Sequence, residues 1–97
     1  MPYIDPKIRE FIDKDIDELA KKITTRYEYE SKGGILNYII FRLALKFMDS
    51  RSYSSSSLMK SAMTDCADEW YRRVMAPYED EKIIQNGDVD GMTELNS

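Results

Sequence analysis

The run from Gly33 to Met48, reading Gly33-Gly34-Ile35-Leu36-Asn37-Tyr38-Ile39-Ile40-Phe41-Arg42-Leu43-Ala44-Leu45-Lys46-Phe47-Met48, limits more than any other stretch what this chain can fold into. Only Asn37, Arg42 and Lys46 interrupt its apolar surface on a helical projection. A helix that is apolar on nearly every side has to be covered from several directions. The expectation is an all-α fold, a small antiparallel bundle with this helix inside.

The flanking segments supply amphipathic neighbours. Asp5 and Pro6 open a first helix, the carboxylate placed to cap free N–H groups and the proline at the first helical position. Ile8, Phe11, Ile12, Ile16, Leu19, Ala20 and Ile23 then recur at steps of three and four, which makes one apolar stripe. Arg26 to Lys32 alternates aromatic and charged residues and reads as a connector. It would make a strand only with something to pair against, such as a partner chain. Ser31, Gly33 and Gly34 give a flexible lead into the central helix. A serine-rich loop, Asp49 to Ser57, follows it, its later serines suited to cap a third helix that runs from Leu58 along Met59, Ala62, Met63, Cys66, Ala67, Trp70, Val74 and Met75.

Pro77 should end or kink that helix at Ala76. Pro77 to Gln85 can resume as a short fourth helix, with Glu79, Asp80 and Glu81 at its positive end and Asn86-Gly87 at its close. The domain reading is one helical unit over residues 1–87 and a fraying tail over 88–97.

Composition narrows the function. With 97 residues the chain fits one domain, and at that size it buries roughly 60–65% of its unfolded surface, so a partner copy would add to a modest core. A net charge of −4 runs against general DNA or RNA binding, which needs a surplus of cations. Histidine is absent, which removes the usual general base and the commonest transition-metal ligand. The single cysteine, Cys66, falls in an apolar stripe and reads as a small core side chain in a reducing compartment. The N-terminus has no basic region followed by an apolar core, and the central run is too short and too charged to span a bilayer, so the expected location is the cytoplasm.

Four constellations bear on chemistry. Asn86-Gly87-Asp88-Val89-Asp90-Gly91 matches the first half of a calcium loop, but its twelfth position is Ser97 rather than a bidentate glutamate, and a solvated tail is the better reading. Asp65, Asp68 and Glu69 share a helical spacing that suits a paired-carboxylate site, yet no other segment offers the remaining ligands. Tyr71, Arg72, Arg73 and Tyr78 gather guanidinium and aromatic groups suited to a phosphate and a base, although Arg72 and Arg73 have acidic neighbours such as Asp68, Glu69 and Glu79 within helical reach. Arg42 interrupts the apolar run, where it must reach solvent along its aliphatic stem, pair with a carboxylate, or hold an anion.

Met1-Pro2-Tyr3-Ile4, then Gly34 to Ile39 with Arg42 and Leu43, and finally Tyr71-Arg72-Arg73-Val74-Met75-Ala76-Pro77-Tyr78-Glu79-Asp80-Glu81-Lys82 with Asn86-Gly87-Asp88-Val89 resemble a family of short, uncharacterised phage and bacterial proteins. The resemblance implies a small stand-alone helical protein of phage or bacterial origin. It brings no activity and no catalytic residues.

These readings converge on a non-catalytic accessory protein, without cofactor, that self-associates as a homodimer and sequesters something. One version takes a nucleotide-derived anionic signal, with Arg42, Arg72 and Arg73 on phosphates and Tyr38, Tyr71 or Tyr78 on a base. A second binds a host protein as an interaction or assembly module. A third is a small metal-dependent hydrolase built on the acidic residues.

Overall fold

In a computed structural model that describes residues 2–95, every regular element is helical and no strand occurs among the described residues. Three principal helices, α1 (Pro6–Thr24), α2 (Lys32–Phe47) and α3 (Tyr53–Trp70), are followed by a shorter α4 (Ala76–Asn86) and a single turn, α5 (Met92–Leu95). This is the expected all-α class with the expected long helices. By internal contacts the chain divides into two compact units, Met1–Ala62 and Met63–Ser97.

The first unit holds α1 and α2. The Asp5 carboxylate accepts a hydrogen bond from the Lys7 N–H at 2.8 Å, so α1 starts as its sequence dictates. At the other end Lys21 and Lys22 lie in the last turn, where cations suit the negative pole of the helix, and the Thr25 hydroxyl donates to the Lys21 carbonyl at 2.7 Å. The connector closes into a 3-10 turn, Tyr29–Ser31, that runs directly into α2, with the Lys32 ammonium 5.8 Å from the centre of the Tyr29 ring. Gly33 and Gly34 therefore lie inside the first turn of α2 and not in a loose lead ahead of it, and a Cβ at either would meet nothing within 4 Å.

The serine-rich segment also behaves differently from its expected role. Ser54 to Ser57 belong to α3 itself, because the capping is done earlier: the Ser52 hydroxyl accepts from the Ser55 N–H at 3.2 Å. Asp49 N–H donates to the Ser55 hydroxyl, also at 3.2 Å, which ties the loop back onto the first turn of the helix. Serine is a poor interior helix former but a strong cap, so a serine run tolerates helix once its first member has closed the N-terminus.

In the second unit Pro77 neither stops nor breaks the helix. Tyr71–Met75 widens into a π turn, the Ala76 N–H bonding the Tyr71 carbonyl five residues back, and Pro77 then sits in the first turn of α4. A proline inside an α-helix lacks a donor and crowds the carbonyl four residues before it, and a wider turn upstream relieves that crowding. Gly87 closes α4 with φ +84, its N–H bonding the Ile83 carbonyl at 2.8 Å. Only glycine takes up such a conformation cheaply. The tail reading changes too, since α5 forms one helical turn at Met92–Leu95; Ser97 lies outside the described residues.

The largest departure concerns burial. No described residue is fully buried, and α2, expected inside, carries Leu36, Phe41 and Phe47 at 58%, 63% and 69% exposure. Cys66, read as a core side chain, is exposed, and so is Trp70 on the same expected stripe. An apolar stripe at helical spacing fixes which face of a helix must be covered. It does not supply the covering surface.

Candidate functional site

α1 and α2 together line an open groove of about 440 Å³ that lies wholly within the first unit. Ile16, Leu19, Ala20 and Ile23 form one wall and Ile35, Leu36, Ile39, Ile40 and Leu43 the other, with Thr24 and Lys32 at one end. Ile23, Ile35 and Ile39 are half-buried along its floor, whereas Ile16, Leu19, Leu36, Ile40 and Leu43 remain open to solvent. Leucine and isoleucine side chains have no hydrogen-bonding capacity, so the groove offers area and shape and no chemistry for bond making. Contiguous exposed apolar surface is what protein interaction sites have in common, which makes the groove the candidate. None of its residues was singled out in the sequence as a binding residue, although the signal was there: α2 is apolar on more faces than two amphipathic neighbours can cover.

The polar candidates are placed differently. Tyr38 and Arg42 belong to α2 in the first unit, and Tyr71, Arg72, Arg73 and Tyr78 belong to the second. Arg42 is exposed and forms no hydrogen bond or ion pair among the described residues, which is the solvent-reaching outcome. Tyr38 is exposed as well.

Within the second unit the polar groups are engaged with chain neighbours. Arg72 donates from Nε to Glu69 Oε1 at 2.6 Å, a one-turn ion pair in which the guanidinium is largely solvated and Glu69 largely covered. Tyr78 lies beneath the Lys82 ammonium, 5.4 Å from its ring centre. The Tyr71 phenol donates to the Glu79 carboxylate across the π turn; that hydrogen bond, with the negative charges of Glu79 and Asp80, raises the phenol's pKa above the ordinary tyrosine range. Arg73 also has an interacting neighbour. These groups already answer one another along the helix, where an anion site would have them converge on open space.

Asp65, Asp68 and Glu69 fare no better as a metal centre. Among the described residues no group of three or more histidine, cysteine, aspartate or glutamate side chains is placed to hold an ion. The Asp88 carboxylate, first oxygen of the calcium-like run after Asn86, accepts instead from the Val89 N–H at 2.7 Å. No helix among the described residues is long and apolar enough to cross a membrane.

No curated protein and no solved structure matches this chain. A family model described as Domain of unknown function (DUF6899) matches residues 1–89, which takes in both units as far as Val89. The chain belongs to the DUF6899 family.

Proposed function

We propose that this protein is a non-catalytic accessory protein of phage or bacterial type that works in the cytoplasm by docking a protein surface against the α1–α2 groove. One observation carries the reading: an apolar surface of the first unit is open, concave and shaped by two helices, the form that takes up another helix or an apolar edge. The nucleotide-sequestering version has less behind it, because Arg72 is paired to Glu69 and Arg42 belongs to a different unit from Arg72 and Arg73. A hydrolytic role has less still, since the acidic residues form no ligand cluster among the described residues.

Site-specific photo-crosslinking tests the docking reading. A benzophenone side chain at Leu36, inside the groove, is expected to give protein adducts in cells, whereas the same group at Tyr53, fully solvated and outside the groove, is expected to give none. Equal labelling from both positions would count against a groove-centred site. A thermal shift with nucleotides, lost in Arg72→Ala, would transfer support to the anion-binding reading.

A further inference from the structure

The charge pattern along the groove's own wall points to its occupant. We infer that a second copy of this chain covers the groove, with α1 of one copy running antiparallel to α1 of the other about a two-fold axis at Leu19–Ala20. This deepens the docking reading and rests on it.

The wall that α1 contributes spans Ile16 to Thr24, so Leu19 and Ala20 stand near its middle. Ile16 and Ile23 are equidistant from that midpoint. Antiparallel pairing therefore sets Ile16 of one copy against Ile23 of the other and brings the two small Ala20 side chains to the centre, where helices can approach closely.

Charge decides the direction. Between residues 13 and 26, Asp13, Asp15, Asp17 and Glu18 precede the midpoint, offset only by Lys14, and Lys21, Lys22 and Arg26 follow it with no acid among them. In a parallel pairing acid would face acid and base would face base. In the antiparallel pairing the acidic block of each copy lies along the basic block of the other, twice over by symmetry, with Asp13 at the level of Arg26, Asp17 of Lys22 and Glu18 of Lys21. Helix dipoles oppose in the same arrangement. The groove is also almost free of charge, with Lys32 its one ionic lining residue, so an isologous contact buries apolar surface without stranding a carboxylate.

The test uses the full chain and two charge-reversed variants, D13K/D15K/D17K and K21E/K22E/R26E, with circular dichroism to show that each remains helical. Sedimentation should find the native chain dimeric at micromolar concentration and each variant alone weaker in self-association by about tenfold or more. Mixing the two should restore a heterodimer, because the mainly basic α1 of one then faces the mainly acidic α1 of the other. Recovery on mixing also shows that both variants are folded.

A dimer indifferent to both reversals would overturn the inference. So would a native monomer. If the monomer still gives foreign-protein adducts from Leu36, self-association falls while the docking reading stands; if it gives none, both fall.

Discussion

The α1–α2 groove and the Glu69–Asn86 segment are both open to solvent, but their side chains stand in opposite positions. Along Glu69–Asn86 three exposed polar groups have partners within eight residues: Arg72 with Glu69, Tyr71 with Glu79, Tyr78 with Lys82. In the groove Leu36, Ile40 and Leu43 are just as accessible and nothing nearby in sequence covers them. The contrast follows from range. A hydrogen bond or ion pair can be made with a residue one or two helical turns away, whereas covering an apolar face takes a second surface, which local chain does not provide. Unmet demand is therefore apolar, and in the first unit two helices gather it into one groove, whereas in the second unit single side chains such as Trp70 and Ile84 carry it.

The sharpest way to break the comparison is to put a charge where the demand lies. Leu36→Glu should weaken association by about 2 kcal/mol, roughly thirtyfold in Kd, as loss of a central interface anchor does, with helicity retained by circular dichroism. The next effects are on stability. Ser52→Ala removes the hydroxyl that closes α3 and should lower stability by about 1 kcal/mol in thermal melts. Gly34→Ala should raise it by about 0.5–1 kcal/mol, because the position is helical and an added methyl meets nothing within 4 Å.

Smaller effects belong to the locally satisfied segment. Arg72→Ala should change stability by at most about 0.5 kcal/mol, since its guanidinium is mostly hydrated and the pair spans one exposed turn. Tyr71 supplies a pH signature. Its protonated form is the hydrogen-bond donor and its folded pKa is raised, so that contribution is complete below the pKa of an unfolded tyrosine and disappears as pH rises through the folded value. Phenolate absorbance should show one tyrosine ionising late, and Glu79→Gln should bring it back toward the others.

Much of the fold could be read from residues whose effects are local. Asp5 and Pro6 placed the start of α1, the three- and four-residue steps of isoleucine and leucine its course, and Asn86-Gly87 the end of α4, while α3 begins at Tyr53, ahead of the expected Leu58. Three things could not be read so. Ser52 captures the capping role ahead of its neighbours, a choice among the six serines of residues 49–57 that geometry makes and composition does not. Tyr71–Met75 widens instead of breaking, because the chain can absorb Pro77 upstream of it. The groove depends on the distance between two helices, which periodicity does not encode; what the sequence offered was the apolar excess of α2 without its location. The polar candidates could be named but not placed, since spacing brings Arg72 equally well to Glu69 or to a ligand.

The wide turn at Tyr71–Met75 also bears on chain length. A π turn holds one residue more than the α-helix around it, so deleting a residue such as Val74 would leave an unbroken helix with the faces beyond it close to their present register. Pro77 resists that outcome, because with Val74 removed its ring would press on the Arg72 carbonyl, now four residues before it. A pyrrolidine ring thus acts as a length gauge for the segment. Relatives with one residue fewer between Trp70 and this position should lack the proline, and those that keep the proline should keep the extra residue.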